Sequence, residues 1–204
     1  TPEVAEVTYI PDNDPLEVEM LPGGVRLTQP VVPQTGLRKQ ITLELDPDAP
    51  RLRLCHLLRN EGSAPLEYGV WAITQVPIGG TAFIPQPQDP PSMLLPNRLL
   101  SLWAYTHLDD PRLQMYDDFI LLYARSKMPP CKVGCYNPDG WIGYLTGNLF
   151  LVKRAEAQPN ATYPDRGCNI ESYVCDTFIE SETLGPITRL EPGQATTHVE
   201  NWEF

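Results

Sequence analysis

Short runs of apolar or alternating residues recur along the whole chain: GVRLTQPVV at 24–32, LRKQITLEL at 37–45, RLRLCHLL at 51–58, LEYGVWAITQV at 66–76, RLLSLWAY at 98–105, DFILLYA at 118–124, WIGYLTGNLFLVK at 141–153, CNIESYV at 168–174, TFIESETL at 177–184 and ATTHVENW at 195–202. Gly, Pro, Asn or Asp bound most of them, which is the pattern of half-buried β-strands closed by turns. About ten strands sharing one core predict an all-β fold, a large two-layer sandwich. Helical periodicity is weak and confined to Asp110–Tyr116, enough for one turn. No repeat of twenty to fifty residues occurs, so a propeller or solenoid is not indicated.

Three runs carry polar residues where alternation expects apolar ones. In 168–174, Cys168, Ile170, Ser172 and Val174 share one face, and Asn169, Glu171 and Tyr173 the other. In 66–75, read as one strand, Glu67, Gly69, Trp71, Ile73 and Gln75 share a face that mixes a carboxylate, an indole and an amide. Aromatic rings stack on the C–H face of a sugar while acids and amides bond its hydroxyls, so this face fits a carbohydrate as well as a solvated or core surface. In 148–153, Lys153 interrupts the apolar row of Leu149 and Leu151. An inward lysine must snorkel or find an acid, and Glu171 is the candidate partner.

The chain has 204 residues, 42% hydrophobic and 20% charged, which suits one soluble globular domain spanning 1–204. Its 23 prolines cut it into short segments and leave no room for long helices. A net charge of −11 opposes a nucleic-acid partner, because phosphate binding needs clustered Lys and Arg. No apolar run is long enough for a membrane span. The five cysteines are an odd number, and Cys168 and Cys175 lie roughly 23 Å apart along one strand, too far to bridge. Cys131 and Cys135 bridge only if CKVGC turns sharply; a zinc site there would need further ligands. The compartment is left open by this cysteine usage.

Taken together, GVRL, TGLRKQITLELDPDAPRL, RNEGSAPLEYGVWAITQVPIGGTAFIPQP, DGWIGYLTGNLFLVKR, YPDRGCNIESY and ETLGPITRLEPGQATTHVENW resemble the galactose mutarotase-like (aldose epimerase) superfamily, in an uncharacterised bacterial branch. The resemblance implies a β-supersandwich of two large antiparallel sheets with a sugar site in a concave face. It also implies a chain that starts inside the domain, so that a missing N-terminal segment or another protein chain covers an open sheet edge. Mutarotases use a general acid on the ring oxygen and a general base on the anomeric hydroxyl, typically His and Glu. By motif position Glu171 is similar to that base. The family's acid His follows an Asn at a strand end, but here Asn60 is followed by Glu61, which leaves His107 as the replacement acid, with His56 and His198 structural. The implied contacts to a mono- or oligosaccharide are Glu67, Trp71, Gln75, Trp103, Lys153, Tyr163 and Asp165. No cofactor is required by this chemistry, although the Asp-rich turns at 109–110, 117–118 and 137–140 offer oxygen ligands of the kind calcium takes. An aldose 1-epimerase-like isomerase, a non-catalytic carbohydrate-binding module and an assembly protein reusing the fold all remain compatible with these residues.

Overall fold

The computed structural model describes residues 13–90 and 92–204. These residues form seventeen strands and no helix. Ten strands make one antiparallel sheet in the order β1-β2-β3-β4-β17-β13-β12-β7-β10-β9. They are β1 (Glu17–Leu21), β2 (Gly24–Thr28), β3 (Leu37–Leu45), β4 (Arg51–Asn60), β7 (Thr81–Pro85), β9 (Leu113–Met115), β10 (Phe119–Tyr123), β12 (Trp141–Thr146), β13 (Leu149–Ala155) and β17 (Ala195–Glu203). Five make a second sheet in the order β6-β15-β14-β11-β8: β6 (Trp71–Pro77), β8 (Leu100–Leu102), β11 (Cys131–Cys135), β14 (Ile170–Val174) and β15 (Phe178–Leu184). β5 (Leu66–Tyr68) and β16 (Thr188–Leu190) pair separately.

Strand alternation puts the core between the sheets. Ile84, Leu122 and Ile142 of the larger sheet, with Ala82, Ile120 and Tyr144, meet Cys131, Val133, Cys135, Ile170, Val174 and Ile179 of the smaller one. Each fully buried Ile or Leu contributes about 1.5–3 kcal/mol. Lys153 on β13 and Thr183 on β15 reach across the same interface farther along.

The smaller sheet covers only part of the larger. Register carries the inward face outward from β17 in rows: Glu200, Leu54, Leu43, Val25 and Met20; His198, His56, Ile41, Leu27 and Val18; Trp202, Leu52 and Leu45. At the far end of these rows Val18, Met20 and Leu45 are exposed. The opposite face carries Glu19, Arg26, Glu44 and Arg53, joined in the ion pairs Arg26–Glu19 and Arg53–Glu44. The apolar alternation of β1–β3 therefore exists without a covering layer among the described residues.

Two local expectations are corrected. The helical turn at Asp110–Tyr116 is instead a turn leading into β9: Asp110 Oδ1 accepts the Arg112 backbone N–H at 2.9 Å, and the buried guanidinium closes on the same carboxylate. The single strand at 66–75 is two. It breaks at Gly69–Val70, where a Cβ on Gly69 would lie 2.7 Å from the Gly185 carbonyl oxygen. All five cysteines are free thiols. Cys131 and Cys135 sit on one extended strand, roughly 13 Å apart by strand rise, so the sharp turn a bridge needs is absent.

Candidate functional site

The outer face of the smaller sheet is polar and aromatic at its centre. Cross-strand register sets Glu171 of β14 opposite Glu182 of β15 and Gly134 of β11. One step along, Tyr173 lies between Lys132 and Glu180. Glu180 in turn faces Gln75, and Glu182 faces Ile73, both on β6. Directly opposed residues of an antiparallel pair share a face, so alternation in four strands collects two tight groups. One is Lys132, Glu171 and Glu182; the other is Gln75 and Glu180.

Lys132 organises the first group. Its Nζ lies 2.7 Å from Glu171 Oε2 and 2.8 Å from Glu182 Oε2. It also lies over two indoles, 4.8 Å from the Trp71 centroid and 4.6 Å from that of Trp103, within cation–π range. Trp71 Nε1–H donates to Glu182 Oε2 at 2.5 Å. Trp103 arrives from the loop after β8. Thr106 pins that loop to β11, its Oγ1 donating to the Lys132 carbonyl at 2.7 Å and accepting the Lys132 N–H at 2.9 Å. Gly134 gives the indole room: a Cβ there would meet Glu171 Cγ at 3.0 Å and Trp103 Cη2 at 3.2 Å.

Glu171 and Glu182 are 0% exposed; both Glu171 oxygens and Glu182 Oε1 have no hydrogen-bond partner, Glu171 Oε2 meeting only the Lys132 ammonium as an ion pair. Burial pushes the Glu171 carboxyl up to about 9; Lys132 opposes the shift and Glu182 adds to it. Burial works against the Lys132 ammonium, but Glu182 and then Glu171 more than offset it and hold its pKa above the ordinary value. Glu182 Oε2 receives both the Lys132 ammonium and the Trp71 indole, whereas burial favours the protonated form of Glu171. At the rim, Tyr105 packs edge-on against Tyr173 at 6.2 Å, and burial raises its hydroxyl to about 12.

The motif turn beside the site is strained. Asp165 and Arg166 have φ of 49° and 69°, and Gly167 follows at 106°. Consecutive left-handed non-glycine residues each cost about 1 kcal/mol or more. The turn is held by Pro164, whose carbonyl accepts the Gly167 and Cys168 N–H groups, and by Ser101, whose hydroxyl donates to the Asp165 carbonyl at 2.9 Å.

Of the residues singled out from sequence, Glu171, Trp71 and Trp103 come together around Lys132, and Gln75 stands on the same face, donating to Glu180 at 2.9 Å. Asp165 is close enough to raise the Glu171 pKa. The others lie elsewhere. Glu67 sits exposed on β5, opposite Arg189, because the strand breaks before Trp71. Tyr163 is buried against Tyr136 and its hydroxyl accepts the Gln158 N–H. His107 is exposed in the 103–110 loop, and the basic group against Glu171 is Lys132, 2.7 Å away, not a histidine.

Lys153 does not pair with Glu171. It points between the sheets, where its ammonium lies 3.0 Å from Glu200 Oε1 and donates to the carbonyls of Ser181 at 2.8 Å and Ala72 at 3.2 Å. His56 and Trp202 also reach Glu200. Thr183 gives its proton to Glu200 at 2.6 Å, so His198 Nε2, 2.7 Å from the same hydroxyl, is the donor there. Asn60 is a buried brace, donating to the Ala64 and Leu190 carbonyls, while Glu61 turns outward to Arg38. Lys132 and Glu182 were missed by sequence reasoning. Alternation in CKVGC and TFIESETL places each on a defined face, but their meeting depends on strand order.

Among the described residues no three His, Cys, Asp or Glu side chains are grouped to hold a metal ion. A cleft of about 290 Å³ lies away from the site, at the β3–β4–β17 end, lined by Leu45, Leu52 and Trp202. The carboxylate pair and aromatic rings of the outer face are the stronger chemistry.

No family model matches the chain, and no curated protein does. Solved structures resemble it at the level of the fold. A galactose mutarotase related enzyme from Lactobacillus acidophilus superposes with a TM-score of 0.56 at 10% identity, over 94% of this chain and 71% of its own. A galactose mutarotase-like protein from Lactobacillus casei gives 0.53 at 11% identity, over 92% and 72%. A TPR-domain containing protein from Parabacteroides distasonis gives 0.57 at 14%, over 92% of this chain but only 33% of its own length. The chain thus has the all-β, galactose mutarotase-like fold.

Proposed function

We propose that the chain binds a saccharide on the outer face of the smaller sheet. The observation that carries this reading is the cluster in which two indoles, a lysine and two buried carboxylates converge beside the exposed Gln75 amide. Trp71 and Tyr105, both about two-fifths exposed, supply ring surface for a pyranose; Gln75 and Glu180 supply hydroxyl partners. The fold neighbours named as mutarotase-related add a family-level likeness.

Binding without turnover is favoured over epimerase chemistry. Glu171 is sealed behind Lys132 and the indoles, and no histidine stands beside it to serve as the acid. A catalytic reading draws on one specific observation, the buried Glu171 directly opposite Glu182 with its pKa raised by burial, because paired carboxyl groups in different environments are how acid and base roles divide.

Ligand-observed NMR and calorimetry with glucose, galactose and their oligomers test this. Wild type binds, and Trp71→Ala weakens binding about tenfold through lost stacking. Absence of saccharide binding to wild type overturns the proposal. Exchange spectroscopy separates the two versions: anomer exchange accelerated by wild type and slowed about a hundredfold in Glu171→Gln establishes catalysis.

A further inference from the structure

We infer that the site selects its saccharide by charge and takes a protonated amino sugar in preference to a neutral or acidic one. This rests on the saccharide reading above and names the ligand class for the same face.

Three carboxyl groups stand on adjoining positions of β14 and β15: Glu171, Glu180 and Glu182. The ammonium facing them is Lys132, and it is already spent between Glu171, Glu182 and both indoles. Asp165 adds a further negative influence from the rim. The Oε1 atoms of Glu171 and Glu182 are buried without hydrogen-bond donors beneath this face, and the partly exposed Glu180 is the carboxylate a ligand reaches directly. The rings state the same preference. Trp71 and Trp103 hold one ammonium on their faces, and the exposed parts of Trp71 and Tyr105 leave π-surface for a second beside Glu180. A carboxylate or phosphate on the sugar would meet acids and ring faces, both repulsive to it. A neutral hexose gains the stacking and hydroxyl contacts alone.

The test is calorimetric titration of the full chain at pH 6 with glucosamine, glucose, N-acetylglucosamine and glucuronate, in low and high salt. Glucosamine binds at least tenfold tighter than glucose or N-acetylglucosamine, glucuronate binds weakest, and the preference shrinks in high salt. In Glu180→Gln, an exchange that preserves an oxygen acceptor for Gln75, the ratio of glucosamine to glucose affinity falls toward parity. Equal affinity for glucose and glucosamine overturns the charge selection and leaves saccharide binding intact. Tightest binding of glucuronate also overturns it, and would assign the rim to the exposed Arg166. A glucosamine advantage that survives Glu180→Gln overturns its assignment to this face. Failure of every sugar to bind overturns the saccharide reading itself.

Discussion

Replacing Glu171 with glutamine isolates the cost of burying that carboxyl group. Glutamine keeps the shape and has no proton to lose. In the folded chain the Glu171 pKa is raised to about 9, against about 4.3 in an unfolded chain. A raised pKa means the folded state holds the proton more tightly, so the contribution to stability is full below the unfolded value and is lost as pH rises toward the folded one. Each pH unit in that window is worth about 1.4 kcal/mol. Between pH 5 and pH 8 wild type therefore loses up to about 4 kcal/mol relative to Glu171→Gln. Urea unfolding of both proteins at the two pH values measures this, with unchanged m-values as the check that unfolding stays comparable. The difference between the two curves cancels the titrations of His198 and Glu200, which both chains share. Parallel curves, with the variant less stable by the same amount at both pH values, would refute the reasoning and make Glu171 an ordinary carboxylate held by Lys132.

Other outcomes follow from the inter-sheet network and the uncovered sheet. Burial lowers the His198 pKa to about 4, and Glu200, despite its own burial, is lowered to about 2 by His56 and Lys153. Both are depressed, so stability falls as pH drops from about 6.5 to 4 through His198 and from about 4.5 to 2 through Glu200; a thermal melt series at acid pH reads this directly. Lys153→Met leaves Glu200 buried with one cation fewer and the Ala72 and Ser181 carbonyls without their donor, and costs about 3–5 kcal/mol in chemical denaturation. The exposed apolar end of β1–β3 makes the isolated chain self-associate. Light scattering shows this, and Val18→Lys with Met20→Lys restores a monomer; a wild-type monomer at high concentration counts against it.

Alternation was enough to identify the sandwich, because a strand's period of two depends only on local backbone geometry. It placed Glu171 off the core face and Lys153 on it, and both positions hold. The motif segments pointed to the fold that the structure has. What alternation could not supply is which strand lies beside which. Lys153 and Glu171 are both anomalous in their strands, and pairing them was reasonable until strand order put β13 and β14 in different sheets, with Lys153 facing Glu200 and Lys132 facing Glu171. Glu67 and Trp71 share a face in an unbroken strand; the close approach of the Gly185 backbone at Gly69 ends that strand and sends Glu67 to another pair. The sequence by itself determined the faces of the strands. The tertiary structure alone decided which faces meet, because cross-strand contacts such as Lys132–Glu182 and Lys132–Trp71 join residues far apart in the chain, and no local preference encodes them.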